Sequence, residues 1–296
     1  MKSGSTSLRE RIAWGGVGLL CVVASWLGLS LSRALKSPAP AEWNSYSQSA
    51  NDHLYDRLNP ARPTAFRIVA HRGGSGPAAG EPEPGPIARL DASYEAGLRL
   101  FELDFCWTAD EELVVEHDWD SYPRIPTRAE FLAADPGRGT LAMVYDWLDR
   151  HDDAFIVTDC KKRSLECCAR IRMERPDLVP QFIVQIYTYK DHDLVRSLGF
   201  RNIILTLYRA LSDETAERLG EFLAHHGVFA LTMPHRRADD EQLLVAARRL
   251  SVPVYVHTIN DPAVARELLN RGIHGVYSDV LSDLDTATRP AQATAE

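Results

Sequence analysis

The sequence predicts an α/β fold of the (β/α)8 class, a TIM barrel. Two observations carry that expectation. Between Phe66 and Ser278, eight short β-rich runs alternate with helical patterns, the rhythm of strand–helix units whose strands pair in parallel. The ends of those runs also carry His, Glu, Asp, Lys and Arg, and in such barrels chemistry sits at the C-terminal ends of the strands. A doubly wound open sheet, built from the same units, is the rival architecture.

In chain order, the first element is Ile12–Ser32, an uncharged run of 21 residues preceded by Lys2, Arg9 and Arg11 and followed by Arg33 and Lys36. As a helix it would span about 30 Å, the thickness of a bilayer core. Residues 1–36 are therefore expected to be an N-terminal membrane-spanning signal anchor or a signal peptide. An anchor is favoured because no small-x-small cleavage site closes the run; Ala39 and Ala41 lie well downstream. The basic residues ahead of the span orient the N-terminus inward. The remainder would then face the extracytoplasmic side, periplasmic or extracellular, and would be secreted if the segment is cleaved. Residues 37–65, polar and rich in Pro, Ser and Ala, read as a linker. The barrel is placed at residues 66–285 and a disordered tail at 286–296.

The predicted strands are Phe66–Ala70, Leu100–Phe105, Phe155–Cys160, Phe182–Tyr187, Asn202–Leu207, Val228–Thr232, Pro253–Thr258 and Gly275–Ser278. Each is a run of Val, Ile, Leu, Phe or Tyr bounded by turn residues. Helices are predicted at Ile87–Gly97, Leu141–His151, Ser164–Glu174, Asp191–Leu198, Asp213–His225, Asp239–Leu250 and Pro262–Arg271, several opened by Asp or Ser and closed by Gly, as helix termini require. One irregularity follows the second strand: an extra strand at Leu113–Glu116, then a Pro/Asp-rich insertion from Asp118 to Gly139.

The whole chain has 296 residues, 45% hydrophobic and 25% charged, with a net charge of −8, a composition that excludes a disordered chain. Without residues 1–36 it keeps 28 basic and 40 acidic side chains, a net of −12. That charge, with no cluster of Lys and Arg, speaks against nucleic acid as a partner. None of the five cysteines forms a CxxC pair, which argues against a zinc site.

The first strand ends in His71-Arg72-Gly73-Gly74, the second carries Glu102 and Asp104, the extra strand leads into His117, and the third carries Asp159 and Lys161. Strand side chains alternate, so Glu102 and Asp104 share one face, as do Asp159 and Lys161. Adjacent buried carboxylates repel one another unless a cation lies between them. Glu102, Asp104 and Asp159 are thus candidate ligands of a hard divalent metal, Mg²⁺ or Ca²⁺. Their bland alternative is a salt-bridged acidic edge. His71 and His117 can divide acid and base duties at one mouth. Arg72 can fork onto phosphate oxygens, and Gly73 and Gly74 would let backbone approach a ligand. These parts together suit a phosphodiester substrate.

The string HRG, then GLRLFELDFCWTADEELVVEHD, then IVTDCK resembles the glycerophosphodiester phosphodiesterase family of the phosphatidylinositol-phospholipase-C-like phosphodiesterase barrels. The resemblance runs from Arg67 to Leu284. It implies that His71 and His117 are the acid/base pair, that Glu102 and Asp104 are metal ligands, that Arg72 binds phosphate, and that Lys161 binds substrate. Asp159 stands where the family usually has a ligating Glu, which is similar to the spider-venom phospholipase D branch. The family's PENT-like motif is absent; Glu83-Pro84-Gly85-Pro86 occupies its place, with Glu81 and Glu83 as conceivable substitutes. His257 replaces a frequent Trp. The implied activity is metal-dependent hydrolysis of a glycerophosphodiester or lysophospholipid-type diester to an alcohol and a phosphomonoester. Its alternatives are a cyclising phospholipase D and a degenerate barrel used as a binding module.

Overall fold

The computed structural model describes residues 66–76, 84–135, 137–207 and 215–284. The expected N-terminal span, the linker, Glu81, Glu83, Tyr208 and the C-terminal tail lie outside the described residues. Among the described residues, no helix is long and apolar enough to cross a membrane.

Among the described residues ten strands form in chain order: β1 (Ile68–Ala70), β2 (Leu100–Trp107), β3 (Leu113–Val115), β4 (Gly139–Thr140), β5 (Phe155–Asp159), β6 (Phe182–Ile186), β7 (Asn202–Thr206), β8 (Ala230–Pro234), β9 (Val254–His257) and β10 (Gly275–Ser278). The helices are α1 (Pro86–Glu95), α2 (Arg128–Ala134), α3 (Leu141–Leu148), α4 (Ser164–Glu174), α5 (Tyr189–Ser197), α6 (Ala216–His225), α7 (Glu241–Arg249) and α8 (Pro262–Asn270). Eight strands pair in parallel in the order β1-β10-β9-β8-β7-β6-β5-β2, and β1 also pairs with β2. That last pairing closes the sheet and rules out the open-sheet alternative. α6 starts after Thr215, whose side chain accepts from the Arg218 amide; the expected start at Asp213 lies outside the described residues.

Two apolar layers hold the barrel. Inside it lie Val69, Leu100, Phe155, Val157, Ile183, Ile204, Ala230, Tyr255 and Tyr277, the interdigitating fill expected of a closed barrel. Outside it, the opposite strand faces pack on the helices through residues such as Phe101, Leu103, Ile156 and Trp147. Trp147 on α3 is fully buried, meets Phe101 edge-on at 5.2 Å, and donates from Nε1 to Asp91 Oδ1 at 2.7 Å. Trp147→Ala would leave a cavity and orphan Asp91, so a loss of about 3–5 kcal/mol in urea melts is expected.

The insertion after β2 is more ordered than the sequence suggested. β3 pairs antiparallel with β2 and with β4, and α2 lies between β3 and β4. Thr127 and Glu130 form a capping box at the start of α2; that T-x-x-E pattern was readable in the sequence. Trp119 pins the excursion by donating to the Trp107 carbonyl at 2.9 Å and packing edge-on against Phe131.

Candidate active site

Along the barrel strands, the inward-facing residues change from apolar to polar towards the C-terminal end. Leu100 is followed by Glu102 and Asp104, Phe155 and Val157 by Asp159, Ile183 by Gln185, Ile204 by Thr206, and Tyr255 by His257. The two-residue period therefore delivers every polar group to one mouth. A cavity of 730 Å³ opens there, lined among others by His71, Glu102, His117, Asp159, Lys161 and His257.

Three carboxylates converge at its floor. Asp104 and Asp159 are direct partners in the β2–β5 register, and Glu102, Asp104 and Asp159 each offer an oxygen within 4.8 Å of the others. Burial, then the charges of Asp104 and Asp159, raises the Glu102 carboxyl well above its ordinary range. Burial and Asp104 likewise raise Asp159, against a hydrogen bond from the Tyr187 hydroxyl. Glu102 also accepts from the Arg72 amide at 2.9 Å, a donor made available by a tight turn in which Arg72 has φ 52°. Such a set of hard oxygens, mutually repelling when ionised, fits a hard divalent cation.

The two histidines are each oriented by a carboxylate. His71 Nδ1 lies 2.7 Å from Asp279 Oδ1, and Asn260 Nδ2 donates to the other oxygen of Asp279 at 2.7 Å. The His71 hydrogen bond, supported by that from Asn260, holds the Asp279 carboxyl down at about 2. His71 Nε2 then faces Glu102 Oε2 at 3.9 Å. His117 Nδ1 lies 2.5 Å from Asp118 Oδ2. Hydrogen bonds from the Asp120 amide and from His117 lower the Asp118 carboxyl. The Lys161 ammonium donates to His117 Nε2 at 2.7 Å and to Asp104 Oδ1 at 3.0 Å. Burial works against that ammonium, yet Asp104 and Asp159 keep its pKa above the usual lysine value. In both imidazoles a carboxylate-bound Nδ1–H fixes the tautomer; it turns Nε2 towards Glu102 in His71 and towards the Lys161 ammonium in His117.

All seven residues singled out from the sequence come together here. Arg72, half exposed, reaches Asp104 Oδ2 at 3.6 Å. Gly73 and Gly74 are both buried, and a Cβ on Gly74 would strike Ser93 of α1 and Ala70, so this turn packs closely on α1 and on the first strand. His257 lines the cavity, and burial followed by the charge of His71 pushes its imidazole down to about 4. Cys106, Cys160, Cys167 and Cys168 are free thiols. Sequence reasoning placed Asp279, Asn260 and Asp118 at strand ends but gave them no role, and it did not foresee the Tyr187–Asp159 bond. Asp118 directly follows His117 in the HD pair, so its orienting role was within reach; Asp279 lies 208 residues from His71.

The depressed Asp279 carboxyl has a consequence for stability. Its folded value of about 2 lies below its ordinary 3.8, so the unfolded chain binds the proton more readily. The stabilisation is complete above about pH 4 and is lost as pH falls towards 2. Asp279→Asn is expected to flatten that acid limb in urea melts.

No family model matches the sequence, and no curated protein matches it. Solved structures do. A glycerophosphodiester phosphodiesterase from Thermotoga maritima superposes with TM-score 0.59 at 22% identity, covering 75% of this chain and 98% of that one. One from Parabacteroides distasonis gives 0.58 at 18% identity, covering 73% and 93%. An Oleispira antarctica phosphodiesterase, solved with the product sn-glycerol-3-phosphate, gives 0.59 at 19% identity, covering 75% and 96%. At these identities the likeness is one of fold: the chain is a closed (β/α)8 barrel of the architecture on which these phosphodiesterases are built.

Proposed function

We propose that the chain is a metal-dependent phosphodiesterase that hydrolyses a glycerophosphodiester or a lysophospholipid-type diester to an alcohol and a phosphomonoester. One observation carries the reading: two imidazoles, each anchored at Nδ1 by a carboxylate, line the same cavity as Glu102 and Asp159 of the three-carboxylate cluster. The fold shared with solved glycerophosphodiester phosphodiesterases supports it.

Glu102, Asp104 and Asp159 would hold Mg²⁺ or Ca²⁺, which supplies Lewis-acid polarisation of a phosphoryl oxygen when bound. Arg72 and Lys161 would hold the remaining phosphate oxygens and neutralise charge that develops on them. One of His71 and His117 takes a proton from the attacking water. The other gives a proton to the leaving alkoxide as the P–O bond breaks. Asp279 and Asp118 keep the two rings in register for these transfers. Phe105, Trp107, Trp119 and Ile125 form an apolar wall of the cavity, which supports a substrate with an aliphatic group. Residues 12–32 would anchor the chain with this site outside the cytoplasm; a mature product shorter by about 40 residues on a blot would show cleavage instead.

The test is turnover of glycerophosphocholine and lysophosphatidylcholine by the full-length chain, with EDTA and then with Mg²⁺ or Ca²⁺ restored. Turnover that returns with metal is the expected result. No turnover of any tested diester by folded, metal-loaded protein would favour a barrel that only binds. The shorter third carboxylate, Asp159, favours a second reading, a cyclising phospholipase D in which a hydroxyl of the substrate replaces water. A cyclic phosphate in phosphorus NMR of the products would establish it.

A further inference from the structure

We infer that the outer face of the barrel carries a second metal site, for a borderline cation such as Zn²⁺, built from His192, Asp193 and His226. His192 and Asp193 lie on α5, and His226 directly follows α6. None of the three lines the cavity described above, so the inference is independent of the proposed phosphodiesterase activity.

Hydrogen bonding to backbone carbonyls fixes both rings. His192 Nε2 lies 3.0 Å from the Gly227 carbonyl oxygen, and His226 Nδ1 lies 3.0 Å from the Phe222 carbonyl oxygen. A carbonyl only accepts, so each of these nitrogens carries the proton. The other nitrogen of each neutral ring therefore presents a lone pair. Both of these nitrogens lie near the same carboxylate: His192 Nδ1 is 2.9 Å and His226 Nε2 is 3.9 Å from Asp193 Oδ1. All three atoms lie within 4.8 Å of one another. Two imidazole nitrogens and a carboxylate oxygen gathered this closely can share one cation.

A proton on His192 would be one such cation, but His192 is fully buried, where an imidazolium is disfavoured. A proton would also satisfy one nitrogen and leave the other. A tetrahedral Zn²⁺ with bonds of about 2.1 Å places its ligand atoms roughly 3.4 Å apart, between the spacings found here. The two carbonyl bonds are the outer supports that orient metal-bound imidazoles. Stacking of His226 on Phe222 at 4.5 Å, and an edge contact of His192 with the same ring, further restrict both rings. Asp193 is half exposed, leaving solvent access for the fourth position. Two nitrogens and one oxygen select Zn²⁺ or Co²⁺ over Mg²⁺ or Ca²⁺. The bound ion would fasten α5 to the end of α6.

The untagged full-length chain, held in excess Mg²⁺ to occupy the oxygen cluster, would be titrated with Zn²⁺ by calorimetry and thermal melting. One equivalent of Zn²⁺ and a rise in Tm are expected. His226→Gln and Asp193→Asn should each weaken Zn²⁺ binding at least about tenfold and remove the Tm rise. Glu102→Gln, which disables the oxygen cluster instead, should keep both. Zn²⁺ affinity unchanged in His226→Gln, or lost in Glu102→Gln alone, would overturn the site.

Discussion

His71→Ala and His117→Ala are each expected to lower kcat by about two to four orders of magnitude, the usual worth of a positioned acid or base. Neither change should cost much stability. His71 and His117 stand at the open mouth of the cavity, both partly exposed, and a truncated imidazole there leaves space that water can fill. The measurement is turnover of the preferred diester beside far-ultraviolet dichroism and a urea melt. Asp279→Asn supplies the internal control. It keeps the size of the side chain but replaces the anion that holds His71 Nδ1, so it should impair kcat less than His71→Ala while leaving KM nearly unchanged. Activity close to wild type in either His variant, with the fold intact, would remove that residue from the mechanism.

Glu102→Gln should move two properties in opposite directions. Its amide oxygen can still accept from the Arg72 amide that lies 2.9 Å from the carboxylate. The charge, however, is gone from a buried cluster in which Asp104 and Asp159 oppose ionisation. Without divalent metal, the variant should be as stable as wild type or more so, by about 1 kcal/mol, because a buried charge lacking a full partner is costly. With metal, it should lose most affinity and activity, a loss of several kcal/mol in transition-state stabilisation or roughly three orders of magnitude in rate. The pH dependence follows. A carboxyl whose folded pKa is raised keeps its proton in the folded chain over a window where the unfolded chain has lost it. Metal-free wild type should therefore lose stability as pH rises above about 4.5, and Glu102→Gln should lose less. Urea melts with EDTA across pH read this directly. A metal-free variant clearly less stable than wild type would mean that the carboxylate is compensated by the protein alone, with Lys161 and Arg72 as its counter-charges.

Much of this was legible in the sequence because it rests on local periods. The two-residue alternation along a strand is enough to put Glu102 beside Asp104, and Asp159 beside Lys161. The strand–helix rhythm gave eight barrel strands within a few residues of their observed limits. The T-x-x-E cap of α2 was equally local and was simply overlooked in a segment rich in Pro and Asp. What stayed hidden depends on closure. Only the β1–β2 and β1–β10 pairings bring His71 to Glu102 on one side and to Asp279 on the other. Only the antiparallel return of β3 along β2 carries His117 to Lys161. The turn geometry at Arg72 and Gly74 is likewise invisible in a string of letters, so the close packing of the two glycines against α1 could not be read from it.

The sequence alone thus determined the fold class and the chemical types at the mouth, since alternation and capping act over a few residues. The tertiary structure decided which groups hold one another: Asp279 on His71, Tyr187 on Asp159, Lys161 between Asp104 and His117. Those pairings join residues that are up to 208 positions apart, and their electrostatics exist only where a closed sheet buries the groups together and excludes the water that would otherwise screen them.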